Sequence, residues 1–344
     1  MIPEKQQTAL RRRLLGLSPM EVTTERRRFQ VSCPEKRRKI EEIGSFFLKG
    51  YHASLEYSHW DQLCDVLSME SPDYRGFAYE GAAMGVGLLD RLLPWRTAQY
   101  ADFLHSTRND FPYLTHVGLG WALARIPRGI QRYCKSLISP GSFSTEAGSS
   151  NSLLACLALD GYGFHQSYFA WETYVQAKAE PRFLPPEALP VFRQGVGRSL
   201  SFVLGMDSDR IARAVSSFPS CRQADVWSGV GLALAYAGGL SAQEVGQLLS
   251  HAGEYTAALA QGVAFAAKAR QRAGYVPEHT RLVCELVWQQ AVECVAEITD
   301  ATLNELPLAS KLSAYAHWRE RIRQRFDVSK GHTPENNLAP VSAT

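Results

Sequence analysis

Apolar residues recur along this chain at intervals of three and four over long stretches, the spacing that gathers them on one face of an α-helix. The pattern predicts helices over residues 39–57, 79–92, 114–126, 153–169, 191–204, 226–236, 255–273 and 279–296. Glycine and proline punctuate the intervals between them. Sustained alternation of apolar and polar positions, the mark of a half-buried strand, is scarce. The chain therefore reads as all-α, or strongly α-rich.

Several of these segments resemble one another in order. The stretch GYHASL (50–55) matches GVGRSL (195–200), YEGAAMGVGLLDRL (79–92) matches WSGVGLALAYAGGL (227–240), and THVGLGWALAR (115–125) matches LAQGVAFAAKA (259–269), at offsets of 145, 148 and 144 residues. A shared helical composition can imitate one such pair but less readily three in sequence. The expectation is an internally duplicated helical architecture with pseudo-twofold-related halves. It divides into a basic N-terminal arm (1–38), a first helical repeat (39–138), a connecting segment with one helix (139–190), a second helical repeat with C-terminal helices (191–326) and a flexible tail (327–344). Within the connection, PGSFSTEAGSSN (140–151) reads as a polar loop and AEPRFLPPEALP (179–190) as the boundary before the second half.

Composition adds two points. The 344 residues, 45% of them hydrophobic, suffice for a sizeable core. The formal charge is only +3, yet residues 1–39 hold eleven Lys or Arg against four Glu. A basic segment of that kind suits an acidic partner, an anionic lipid or a nucleic acid; the absence of interleaved aromatic residues argues against nucleic acid. The seven cysteines are dispersed without a CxxC pair, which points to buried thiols. With no secretion-signal pattern and no apolar run long enough to span a bilayer, the expectation is a soluble cytoplasmic protein.

Candidate chemistry sits in two places. Gly81 and Gly85 share a helix face that permits close packing, without the strand–turn–helix context of a phosphate loop. Beside them, Glu80 falls in the first turn of a helix starting at Tyr79, where its charge suits the free N–H groups. Facing inward, it could instead exchange a proton, with Arg75 orienting it or holding a polar substrate group. Tyr79, and Arg222, Asp225 and Trp227 in the related part of the second half, would add substrate contacts. The second place is LDGYGFHQSYF (159–169), where His165 can transfer protons, Asp160 can orient the imidazole, Gln166 can bond a polarised oxygen and Tyr162 can line an apolar pocket. Glu80, His165 and Asp160 are the catalytic candidates. His52, Glu56 and His116 are residue types that bind metals, but no HExxH or paired ExxH set accompanies them. No Ser lies in GxSxG. Lys268 and Arg270 read as a solvated helix end.

The phrases RRRLLG, GYHASLE, RGFAYEGAAMG, HVGLGWALAR, LDGYGFHQSYF, ADVWSGVGLALAYAGG and AQGVAFAAKARQRAG together resemble an uncharacterised UnbL-type protein family associated with bacterial enediyne biosynthetic gene clusters. The resemblance covers the chain from Arg11 past Gly274. It implies a role in maturing a polyketide-derived polyene or related secondary metabolite, as a cofactor-independent isomerase or cyclase that isomerises, cyclises or rearranges an apolar intermediate. On that reading Glu80 or His165 exchanges protons and Arg75 positions a polar group; a metal is left open. The alternative is a non-catalytic binding or assembly protein for such an intermediate or for a polyketide synthase. The glycine-spaced faces serve packing within or between chains equally, so the oligomeric state is open.

Overall fold

The computed structural model describes residues 4–92, 99–107, 110–139, 149–304, 306 and 309–330. All regular structure among them is helical. The chain opens with α1 (Glu4–Leu15) and α2 (Thr24–Arg27), then a long α3 (Pro34–Glu56), α4 (Trp60–Ser68), α5 (Pro72–Leu92), α6 (Gln99–Ser106), α7 (Pro112–Ala124), α8 (Gly129–Ile138) and α9 (Ser149–Leu154). It continues through α10 (Leu157–Phe169), α11 (Leu189–Val203), α12 (Ser208–Ser216), α13 (Ser220–Ala237), α14 (Ala242–Ala252), α15 (Thr256–Arg272), α16 (Glu278–Trp288), α17 (Val292–Ala301) and α18 (Lys311–Ser329). Local chemistry marks many of the starts. Prolines open α3, α5 and α7, where a missing N–H costs no helical bond. Ser241 and Glu244 form a reciprocal capping box on α14. The single helix expected over 279–296 is two, α16 and α17, because Gln289 turns left-handed at φ 57°.

Seven helices, α3, α5, α7, α10, α11, α13 and α15, pack side by side in chain order, each joined to the next by shorter elements. Their crossings are backbone against backbone. A Cβ on Gly120 would meet the carbonyl of Ala158 at 2.2 Å, and one on Gly161 would meet that of Val117 at 2.0 Å. Gly163 and Gly195, Gly197 and Gly229, and Gly231 and Gly262 repeat this reciprocal contact at the next three crossings, as do Gly50 and Gly81 at the first. The Gly-x-Gly spacing in α7, α10, α11 and α13 explains the row: positions i and i+2 of a helix are about 200° apart, so one glycine faces the preceding helix and the other the following one. The row curls round, and Tyr113 of α7 comes to 6.0 Å from Phe265 of α15 and Phe77 of α5 to 5.3 Å from Tyr236 of α13, ring centre to ring centre. The interior of this curl is the core.

Three sequence expectations change. The helix assigned to the connecting segment, α10, is a full member of the row. Of the expected arm, the described residues 4–38 pack on the body: Gln30 N–H donates to the Val203 carbonyl (2.8 Å), Lys36 Nζ donates to the Met206 carbonyl (2.6 Å) and pairs with Glu244, and Tyr51 OH donates to the Leu15 carbonyl (2.7 Å). Glu80 lies in mid-helix, since Pro72 starts α5 two turns earlier. The expected polar loop falls outside the described residues at 140–148, as does the expected tail at 331–344; residues 327–329 complete α18.

The crossings give a direct test. Gly229→Ala would drive a methyl to 1.9 Å from the Gln194 carbonyl and is expected to destabilise the protein by about 3 kcal/mol or more, in the range of severe overpacking. Gly246→Ala in α14, with nothing within 4 Å, should instead stabilise by about 0.5–1 kcal/mol. Urea unfolding midpoints of the two variants check the contrast.

Candidate functional site

The same spacing decides which side chains enter the interior. If the two glycines of Gly-x-Gly face the neighbouring helices, the residue before the first and the residue three after it both fall on the remaining inner flank, and the residue between them faces out. The positions before the glycine are Glu80, Val117, Asp160, Gln194, Ser228 and Gln261, and those three after it are Met84, Trp121, Phe164, Arg198, Leu232 and Phe265. All twelve are buried or nearly so. The first set is mostly polar, the second mostly apolar.

The polar set forms one connected network. Arg198 Nη1 donates to Asp160 Oδ1 at 2.6 Å and Gln194 Nε2 donates to Asp160 Oδ2 at 2.7 Å. Ser228 Oγ sits 3.1 Å from Gln194 Oε1 and 2.8 Å from Gln261 Oε1. From α18, Arg319 Nε donates to Gln261 Oε1 and its Nη2 to Asp225 Oδ1, both at 3.1 Å. At the other end Arg198 Nη2 reaches Glu80 Oε1 only at 3.7 Å. Asp160 thus holds two short bonds while Glu80 holds one long ion contact. Burial pushes the Glu80 carboxyl up from an ordinary 4.5 to about 7; Arg198 opposes the rise and the Asp160 carboxylate adds to it. A carboxyl at that value gives up and takes back a proton near neutrality.

Glu80 borders a cavity of about 80 Å³, walled by Phe77, Met84, Val117, Trp121, Phe164 and Phe265 among others. Leu17 and Val22 of the N-terminal segment, with Ile40 and Ile43 of α3, also line it. Two polar atoms in this wall lack partners among the described residues, Trp121 Nε1 and Tyr236 Oη. The Trp121 N–H lies near enough to Glu80 to favour its charged form slightly, but it makes no hydrogen bond of normal geometry. By contrast Trp288 and Trp318 donate to the carbonyls of Ala260 and Thr299, at 3.0 and 2.8 Å. Trp171 Nε1 is also unpartnered but does not border the cavity.

Of the residues expected from sequence, Glu80 lines the cavity and Asp160 is tied to it through Arg198. The others lie elsewhere. His165 packs edge-on against Trp121 (5.3 Å) outside the cavity wall, and burial beside Arg125 drives its pKa down to about 3, so it is a poor proton carrier. Arg75 donates to the Glu70 carbonyl (3.2 and 3.3 Å), and Tyr79 faces outward, stacked on Phe111 with its hydroxyl on the Cys64 carbonyl. Tyr162, the residue between two glycines, faces Phe183, and Gln166 is half-buried away from the cavity wall. Arg222 pairs with Glu180 at 3.1 Å, Asp225 with Arg193 and Arg319, and Trp227 is core. Arg270, expected at a solvated end, is 1% exposed and donates to the carbonyls of Asp73 and Tyr236. His52 accepts from the Leu17 N–H, Glu56 pairs with Arg12 and His116 bonds Tyr100, so these three do not converge. Among the described residues no group of three or more His, Cys, Asp or Glu could hold a metal ion. Sequence reasoning missed Arg198, Trp121 and Tyr236; the first two share one position in the glycine register, which was the available signal.

The family comparison matches residues 6–326 to the family described as "Protein of unknown function (DUF1702)". The chain belongs to that family. Its description assigns no activity, so membership in DUF1702 extends the helical row and its glycine register no further toward a substrate. Comparisons with curated proteins and with solved structures found no match. No helix among the described residues is long and apolar enough to cross a membrane.

Glu80 has a thermodynamic signature that can be measured without a substrate. Its folded pKa of about 7 exceeds the ordinary 4.5, so the folded state binds more protons between these values and stability falls as pH rises through that window, by up to about 3 kcal/mol. Glu80→Gln removes the titrating group and should flatten the slope, leaving the variant the more stable protein at pH 8 relative to wild type. Urea midpoints at pH 5 and pH 8 for both proteins decide it.

Proposed function

We propose that the helical curl encloses a polyketide-derived polyene or a related apolar intermediate and that Glu80 moves a proton on it, promoting isomerisation, cyclisation or rearrangement without a nucleotide cofactor. One observation carries the reading: a fully buried carboxyl, poised to titrate near neutral pH, stands in the wall of an otherwise apolar and aromatic cavity. Arg198, fixed by Asp160, stabilises the charged form of Glu80 or an anion that develops beside it. The aromatic wall supplies the apolar contacts and keeps water from a reactive intermediate. The resemblance to the enediyne-associated family supports a place in secondary-metabolite maturation. The likeness of α3, α5 and α7 to α11, α13 and α15 supports an internal duplication whose two sets share this one interior, with the polar residues unequally divided between them.

Purified protein incubated with candidate polyenes, followed by product analysis, tests this reading. Glu80→Gln should lower turnover by about 10²-fold or more while binding changes little, the loss typical of a positioned acid or base. If Glu80 acts as the base, wild-type turnover should rise with pH through about 7 and then level off. Tight binding by wild type with no chemical change in a complete reaction mixture would instead support a carrier of the intermediate.

A further inference from the structure

We infer that the substrate presents a carbonyl oxygen to Trp121 Nε1–H and Tyr236 Oη–H, and that Glu80 shifts an adjacent carbon–carbon double bond by moving one proton. The inference rests on the reading of the cavity as a substrate site and names the chemical class that fits it.

The two donors are buried, 6% and 4% exposed, border the same cavity, and have no hydrogen-bond partner among the described residues. An indole N–H can only donate, and burial raises the Tyr236 pKa, so its hydroxyl keeps its proton and can donate as well. Neither ring is free to turn away. Trp121 is clasped by Phe47, Phe164 and Tyr168 at centroid distances of 4.6, 5.5 and 5.8 Å. Tyr236 carries the Arg270 guanidinium on its face at 4.0 Å and the edge of Phe77 at 5.3 Å. Space for its hydroxyl comes from a missing side chain: a Cβ on Gly76 would lie 1.9 Å from Tyr236 Oη. Both donors share this wall with Glu80, whose charge each of them feels.

Two unpartnered donors in the wall beside a carboxyl suit an oxygen with two lone pairs next to an acidic C–H. A ketone or thioester oxygen supplies this without a charge. A carboxylate would set a permanent charge against the Glu80 carboxylate, and a cation would find the donors opposed to it. The step balances within the residues present. Glu80 as carboxylate removes a proton from the carbon between the carbonyl and a β,γ double bond; the electron pair passes to the carbonyl oxygen, forming a dienolate held by the two donors and faced by Arg198. The Glu80 carboxyl then returns the proton at the γ carbon and the double bond ends conjugated with the carbonyl. One C–H bond breaks, one forms, and nothing is oxidised or reduced.

The test uses a medium-chain β,γ-unsaturated ketone, the matching alcohol and the matching diene hydrocarbon with the full-length protein in D2O, read by NMR for deuterium entry and by absorbance for the conjugated product. Wild type should convert the ketone with deuterium incorporation, and Glu80→Gln should abolish both signals. Tyr236→Phe and Trp121→Phe should each slow conversion by about 10²-fold while hydrocarbon affinity stays within about two-fold. Trp121→Phe alters packing, but Tyr236→Phe removes only an unpartnered hydroxyl and should keep the wild-type unfolding midpoint, so it carries the decision if Trp121→Phe does not fold. Wild-type conversion by Tyr236→Phe overturns the inference, as does selective ketone binding with no deuterium entry, or equal affinity for ketone, alcohol and hydrocarbon. In those three cases the cavity still binds and the broader reading stands. Failure of all three compounds to bind overturns both.

Discussion

Where the helices of the row cross, backbone carbonyls lie within about 2 Å of the place a Cβ would occupy, and glycine is what makes that approach possible. At five of the six crossings the pairing is reciprocal and fixes the helices from both sides; between α5 and α7 Gly118 alone approaches, against the Glu80 carbonyl and Ala83. Because two small residues spaced i, i+2 point to opposite neighbours, the same spacing leaves a third direction, inward, to the residues just before and three after. The interior is thus composed by register. A line of polar side chains, from Glu80 round to Gln261, and a line of larger and mostly apolar ones, from Met84 round to Phe265, come from one packing rule.

Buried polar groups are tolerable when every donor and acceptor is matched. Most of this network obeys: Asp160 has Gln194 and Arg198, and Asp225 has Arg193 and Arg319. Gln261 Nε2 is a partial exception within it, and in the cavity wall Glu80 has a single long ion contact and the Trp121 and Tyr236 donors have no partner among the described residues. Arg198 is the hinge between the two regimes, spending its short bond on Asp160 and only its distant Nη2 on Glu80. A structural ion pair would close that gap; a proton-transfer group is served by its staying open, because full pairing would return the carboxyl to the ordinary carboxylate range.

The ends of the curl are closed by the parts of the chain that are not in the row. α18 brings Arg319 to Gln261 and Asp225, with Tyr315 and Trp318 against Phe265 at 6.0 and 4.8 Å. On the cavity side the segment before α3 lies across, with Val22 so close to Gly44 that a Cβ there would meet it at 2.6 Å. Its arginines are thereby recruited: Arg27 pairs with Glu21, which borders the cavity, and stacks on Phe169 at 4.7 Å. Part of the basic charge of this region thus serves to hold the segment against the helical body.

The apolar periodicity located every helix of the row, with α5 and α13 beginning nearly two turns earlier than expected, because apolar stripes and glycine spacing are local properties of the chain. It passed over α4, α6, α8, α12, α14 and α18, which are short or carry many charges and declare their faces only against neighbours. The ordered likeness of 50–55, 79–92 and 115–125 to 195–200, 227–240 and 259–269 was legible too, while the place of α10 in the same row was not, since its register is obscured by LDGYGFHQSYF reading as a polar site. For the site, the sequence determined that Glu80 precedes a helix-crossing glycine. Only the tertiary structure decided that Arg198, from a helix more than a hundred residues later, is its partner, that His165 is not, and that Trp121 and Tyr236 stand unpartnered in the same cavity wall. Helix periodicity fixes which way a residue points from its own axis; which residues meet across the interior depends on how far the row curls, and that is set by all the crossings at once.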